Sequence, residues 1–351
     1  MLQNYSYLVT LYLLWLIFLN KQRGATMENK GYLTPQELAM ILGKSNQAVY
    51  ASLKNKNIVS IEISKRKRLI PPSSIKTLLE MRHFKYHKKI FSVHDLKGGV
   101  GKTTIALSFS VRASHYGFKV LMIDIDLQSN LTRYCNIDPT NLPVWINILR
   151  KDTKIEDCII NVSEYLDLIP SNLNNSRLEI ELAGNSSINI KDNIKDTLEP
   201  IINKYDLIVI DCPPSLCKTT TMATCASDLT IIPINPDQFS IDGMHMTIDE
   251  ISRIKKAYKL PLKYKILWNK YDARKKLAPF FIQQLAKDEE KYSNTLPVVI
   301  RIDSAFEASQ SMRKSIFEAQ RRSNAQEDID ALVRELLNIE SVQTNNTEAL
   351  L

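Results

Sequence analysis

Residues 94–109 read HDLKGGVGKTTIALSF and hold three of the chain's nine glycines within four positions. Such a cluster marks a place where bare backbone is needed. The N–H groups of Gly98, Gly99, Val100 and Gly101 can converge on phosphate oxygens, with the N-terminus of the following helix behind them. Lys102 would reach the β- and γ-phosphates, Thr103 would set its hydroxyl on Mg2+, and Thr104 continues the same turn. The glycine that usually opens such a loop is missing, because position 96 is Leu, and a second lysine, Lys97, stands beside the gap. Further on, YDLIVIDCPPS (205–215) is an apolar run ending in Asp211. An acid in that place suits an indirect hold on Mg2+ beside the phosphates. Together these residues point to chemistry on the terminal phosphoryl group of a nucleotide.

The elements that must position them are legible in the pattern. IFSVH (90–94) is a short strand, TTIALSFSVRASHYG a helix closed by Gly117, and KVLMIDID (119–126) another buried strand. Strand, glycine loop, helix and strand in that order open a parallel α/β domain of the P-loop NTPase class, with crossover helices. LTIIPI (229–234) and YKILWNK (264–270) are two further strands, with a helical crossover from DQFSIDGMHMTIDEISRIKKAY between them.

With 351 residues the chain has room for two domains, and 44% hydrophobic content supports a substantial core. Five cysteines form no CxxC pair and no His stands at metal-ligand spacing from them, which argues against a zinc site or a disulfide framework. Charge is uneven. Residues 28–90 contain thirteen Lys or Arg against four Glu, whereas the chain as a whole carries only +8. A small basic module therefore precedes a nearly neutral body, and a polyanion is its natural partner.

Within that module, LTPQELAMILGKSNQAVYASLKNK (33–56) encodes two short helices. Thr34, Pro35 and Glu37 form a capping box, Gly43 stops the first helix and Ser45 caps the second. VSIEIS and LIP flank KRKR as a small ribbon, and SSIKTLLEMRHF is a third amphipathic helix. The order resembles the winged helix-turn-helix of MerR-type regulators. The resemblance implies that Ser45, Asn46, Gln47 and Lys54 face DNA, with Asn and Gln reading base edges while Lys65, Arg66, Lys67 and Arg68 grip phosphates.

The first 26 residues differ in kind. LVTLYLLWLIFL (8–19) is shorter than the roughly 20 residues a membrane-spanning helix needs, and it lacks the basic flank and cleavage site of a signal peptide. The expectation is that translation starts at Met27, with a short hydrophobic N-terminal membrane anchor as the alternative. The domains expected are therefore a leader over 1–26, a winged helix-turn-helix over 27–84, a nucleotide-binding domain over 85–340 and a flexible tail over 341–351.

KGGVGKTT with its leading lysine, DIDLQSNLT (124–132), DLIPSNL (167–173), DCPPS (211–215) and NKYDAR (269–274) occur in the order of the ParA/MinD deviant Walker A ATPases, and the chain resembles the ParA partition proteins most. The resemblance covers about residues 88–338. It implies an ATPase that binds ATP and Mg2+ and forms a homodimer with ATP sandwiched between subunits. Lys97 would reach across to the partner's phosphates, Asp126 would orient the attacking water, Asp124 would join Thr103 and Asp211 at the metal, and Asn269 would read adenine. It further implies non-specific DNA binding, hydrolysis stimulated by a ParB-type adaptor, autorepression through the N-terminal module, and a cytoplasmic, nucleoid-associated location.

This chain departs from relatives in carrying Asp95 where Asn is common and DLQSN where DPQGN is common. VVIRIDSAFEASQS (298–311) keeps one of two arginines that help hold DNA in relatives: Arg301 matches the first and Ser304 replaces the second. Arg274, Lys275, Lys276, Arg313 and Lys314 could rebuild that surface. Two alternatives are a nucleotide-responsive transcriptional regulator and a MinD-like positioning ATPase. The acidic, polar C-terminal segment disfavours the second, since stable membrane binding wants a basic amphipathic helix.

Overall fold

The computed structural model describes residues 31–55, 58–64, 67–275, 277–319 and 322–339. Ten strands are named here in chain order: β1 (Ile61–Ser64), β2 (Lys67–Leu69), β3 (Lys89–Val93), β4 (Val120–Asp124), β5 (Ile160–Ser163), β6 (Leu166–Ile169), β7 (Leu207–Asp211), β8 (Leu229–Ile234), β9 (Tyr264–Tyr271) and β10 (Thr295–Arg301). Eight of them form one sheet in the order β10-β9-β8-β3-β7-β4-β6-β5. Every pairing is parallel except β5 with β6.

Side chains of the central strands alternate between two cores, as the period of two demands. Phe91 and Val93 of β3, Val120 and Met122 of β4, and Leu207 and Val209 of β7 face one core. Ile90, Leu121, Ile123, Ile208 and Ile210 face the other. The helices that matter below are α1 (Pro35–Ile41), α2 (Asn46–Asn55), α3 (Pro72–Glu80), α4 (Lys102–His115), α5 (Asn130–Tyr134), α6 (Gln238–Tyr258), α7 (Ser304–Met312) and α8 (Asn324–Leu336). α4 and α8 cover the first face, and α6 packs on β8 and β9 through a third cluster. The architecture is a parallel-sheet α/β P-loop NTPase fold.

α1 begins as its sequence requires. Glu37 N donates to Thr34 Oγ1 at 3.2 Å, and Thr34 N donates to Glu37 Oε2 at 2.8 Å. Gly43 takes φ 58°, and Ser45 Oγ then accepts from Ala48 N at 3.2 Å to start α2. The antiparallel pair β1–β2 and then α3 follow.

These elements are not tethered loosely to the body. Leu38, Ile75, Leu79 and Phe84 belong to the same hydrophobic cluster as Phe109, Tyr116, Phe118 and Leu332, so the core runs straight across the boundary expected at 84/85. Arg112 of α4, 2% exposed, donates to Asp330 Oδ1 at 2.5 Å and to Glu37 Oε1 at 2.9 Å. Lys76 Nζ pairs with Asp206 at 2.6 Å. Gly117 ends the α4 turn at φ 87°, where an added Cβ would lie 2.8 Å from the backbone nitrogen of Lys76. Only glycine permits both that dihedral and that approach.

Candidate nucleotide site

The loop between β3 and α4 lies at the carboxyl end of the sheet, where open α/β folds place ligands. Gly99 and Gly101 adopt φ 76° and 91°, and Gly101 stands at the N-cap of α4. A Cβ on Gly101 would sit 2.3 Å from Asn269 Nδ2. That amide donates to Val100 O at 2.7 Å, and Lys270 Nζ donates to Gly99 O at 2.8 Å. The end of β9 thus braces the loop through two of its carbonyls.

A cavity of about 510 Å³ opens there, lined by Gly98, Gly99, Gly101, Lys102, Thr103 and Thr104 on one side and by Asp126, Gln128 and Asn130 on another. Asn269 and Lys270 belong to its wall, as do Arg301, Phe306 and Gln310 of the C-terminal part. Gln310 Nε2 donates to Thr104 Oγ1 at 2.7 Å, which ties α7 to the first turn of α4. The volume is in the ordinary range for a small-molecule site.

The two loop lysines part company. Lys102 is 7% exposed and its ammonium donates to Lys97 O at 3.0 Å, inside the loop. Burial pushes its pKa down, while Asp211 and Asp95 hold it up. Lys97 points elsewhere: its Nζ pairs with Asp237 Oδ1 at 2.6 Å and donates to Ser240 Oγ at 2.9 Å, both at the start of α6. It is not among the residues lining the cavity.

Three acids stand behind the loop. Asp124, wholly buried, accepts from Thr132 N at 3.0 Å, Thr132 Oγ1 at 2.7 Å and Asp126 N at 3.2 Å, so its oxygens hold the 126–132 turn. Asp126 accepts from Gln128 N at 3.0 Å and faces the cavity. Neither oxygen of Asp211, also wholly buried, makes a hydrogen bond of good geometry, although the Thr103 hydroxyl stands beside it. Burial first, and Asp124 next, push its pKa well up, with Thr103 and Lys102 opposing them. A buried carboxylate so placed beside a threonine hydroxyl fits a hydrated Mg2+ brought in by phosphates. Among the described residues no group of three or more His, Cys, Asp or Glu is arranged to hold a metal.

Of the described residues assigned to DNA, Arg301 alone lines this cavity. Ser45, Asn46, Gln47 and Lys54 are exposed along α2. Lys65 and Arg66 fall outside the described residues, as does the side chain of Lys67, and Arg68 pairs with Glu62 at 2.9 Å. Arg274 is 84% exposed and forks onto Asp272. Arg301 is the exception: it forks onto Asp328 and reaches Glu327 at the cavity wall. Lys270, Gln310 and Phe306 escaped the sequence argument, because β9 and α7 meet the loop only through tertiary packing.

A family model described as "AAA domain" matches residues 88–264, half of the chain, and takes in the loop, both acid-tipped strands and β8. The chain belongs to this AAA-domain family. Sporulation initiation inhibitor protein Soj of Bacillus subtilis is 31% identical over 222 residues, covering 62% of this chain and 87% of the relative. Chromosome partitioning protein ParA of Myxococcus xanthus is 28% identical over 253 residues, covering 71% and 88%. Among solved structures, cobyrinic acid a,c-diamide synthase from Mycobacterium smegmatis with a bound ATP analogue and magnesium has a TM-score of 0.62 at 25% identity, covering 72% of this chain and 94% of that one. This AAA-domain chain thus stands among ParA- and Soj-type proteins, and its fold is one that carries nucleotide and Mg2+. No described helix is long and apolar enough to cross a membrane.

Proposed function

We propose that this protein is a ParA-type partition ATPase: a nucleotide-dependent homodimer that binds DNA, hydrolyses ATP under the influence of a ParB-type adaptor, and represses its own operon through residues 27–84. The observation that carries the reading is the divergence of the two lysines. A cation that flanks a phosphate loop yet is parked on its own subunit's Asp237, outside its own cavity, is available to another molecule's phosphates once that pair opens. Charge supplied in trans would tie phosphate stabilisation to dimer formation, as an arginine finger does.

In this reading Lys102 and the amides of Gly98 to Gly101 bind the phosphates, and Asp126 orients water toward the γ-phosphate. Asn269, whose amide already braces the loop, borders the base. Thr103, with Asp211 and Asp124 behind it, would hold Mg2+, which would supply charge neutralisation at the phosphates. The exposed side of α2 with Ser45, Asn46, Gln47 and Lys54 is the DNA-reading face, and Lys65 to Arg68 and Arg274 add phosphate contacts. Arg301 joins them only by exchanging Asp328 for phosphate.

The test is Lys97→Ala, read by nucleotide titration and by light scattering with ATP. The expected variant keeps monomer affinity for ATP within about threefold but loses the ATP-dependent dimer and at least about 90% of turnover, roughly 1.4 kcal/mol per decade. A variant that dimerises and hydrolyses normally removes the trans role.

A further inference from the structure

α7 contains no buried residue, yet it is fixed at both ends. At its start one oxygen of Asp303 accepts from Ala305 N at 2.8 Å, and the other accepts from Ala325 N, in the first turn of α8, at 3.2 Å. Two turns on, Gln310 Nε2 donates to Thr104 Oγ1 at 2.7 Å, in the first turn of α4. Asp303, Phe306, Glu307 and Gln310 all line the cavity of about 510 Å³. The spacing i, i+3, i+4, i+7 is that of one helix face, so α7 borders the site with a single stripe. The apolar member of that stripe is Phe306, half-buried, which packs against the core cluster that holds Phe109 and Leu332.

The phosphates of a nucleotide take the part of the cavity at the glycine loop, and Asp126 borders the γ-phosphate in the reading above. Sugar and base are left with the wall built by Asn269, Lys270 and α7. Asn269 and Lys270 each already donate to a loop carbonyl, at Val100 and Gly99. A base is a flat π system, and an aromatic side chain is the group that covers its face best. Two aromatic residues among the described ones line the cavity, Tyr134 and Phe306, and Tyr134 belongs with Asp126 to the segment 126–134. Phe306 is the ring on the nucleoside side. Stacking reads a π face rather than a hydrogen-bond pattern, so such a contact separates nucleotides from base-free polyphosphates without choosing among bases.

We propose that Phe306 is the stacking platform for the nucleotide's base, held in place by the anchors of α7 on Ala325 and Thr104. The proposal rests on the reading of this cavity as an ATP site. Full-length wild type, Phe306→Leu, Phe306→Ala and Phe306→Tyr are titrated by calorimetry with ATP and, in parallel, with tripolyphosphate, both with Mg2+, and melting curves without ligand control for folding. Leucine keeps apolar bulk against the core but has no π face. Phe306→Leu and Phe306→Ala are expected to lose about tenfold in ATP affinity, roughly 1.4 kcal/mol, while their tripolyphosphate affinity stays within about twofold of wild type. Phe306→Tyr should keep both. An equal loss for the two ligands would mean that the loop itself has been disturbed, and it overturns the platform; so does a Phe306→Tyr variant as weak for ATP as Phe306→Leu. Wild type that binds neither ligand removes the ATP-site reading and the platform with it. Wild type that binds ATP while the Leu and Ala variants bind it equally well removes the platform alone.

Discussion

The two ends of α4 are opposites. At its amino end, buried charge is left open: Asp211 makes no hydrogen bond of good geometry, one oxygen of Asp95 has no partner, and Lys102 has only a backbone carbonyl. At its carboxyl end, buried charge meets opposite charge from within the chain, with Arg112 held by Asp330 and Glu37 and Tyr116 OH donating to Asp330 at 2.8 Å, while Arg112 Nη1 and His115 Nδ1 stay without hydrogen-bond partners. The first end leaves its acids without a cation partner in the chain, and the second seats its cation between two acids on folding. Substitutions at the first should change binding with little loss of stability; at the second they should do the reverse.

The largest effect is expected from Arg112→Met, which leaves Asp330 and Glu37 without their cation. A loss of about 3–5 kcal/mol in chemical denaturation is the expectation for one partner removed from a buried network. A loss under about 1 kcal/mol would erase the contrast between the ends. Next comes Lys102→Ala: ATP affinity by calorimetry should fall about 100-fold, roughly 2.7 kcal/mol, while the melting temperature without nucleotide stays close to wild type. A large drop in melting temperature would mean that this end, too, is completed by folding.

The smallest effect sharpens the comparison through pH. Asp95 is wholly buried, and burial pushes its carboxyl up to about 6 despite the Thr247 hydroxyl at 3.0 Å. Its folded pKa exceeds the unfolded one, so the folded protein binds the extra proton and this group's penalty shrinks as pH falls through about 6 toward the unfolded value near 4. Asp95→Asn should therefore stabilise the protein by on the order of 2 kcal/mol at pH 7.5, with the gain fading between about pH 6.5 and 4. Comparing variant with wild type cancels the opposite trend from buried His94, which burial pushes down to about 4. A gain that is constant with pH would assign Asp95 a packing role alone.

The sequence was most readable where the physics is local. The phosphate loop, the Gly117 stop, the Thr34–Glu37 box and the strand ending at Asp211 each declare themselves within a dozen residues. What escaped depends on partners far along the chain. Arg112 reads as one more cation in an amphipathic helix, because its acids lie 75 and 218 residues away. Lys97 was recognised as peculiar, but its resting place on Asp237, 140 residues on, has no local signal. Arg301 carried a resemblance to DNA-holding arginines, whereas its observed partners come from α8. β10 and α7 escaped too, since nothing in VVIRIDSAFEASQS announces that it walls the nucleotide cavity.

The backbone-close seat of Lys76 against Gly117 also bears on mechanics. α4 has 14 residues and is about 21 Å long, a stiff strut whose far end is the phosphate loop itself. Because the N-terminal module is seated on the near end through packed backbone, a buried arginine and shared core, a pull on the module has no slack linker in which to dissipate. Tension would enter the ATPase body as a load along that strut, so a tether held by the module and the grip on a nucleotide lie on one line of force.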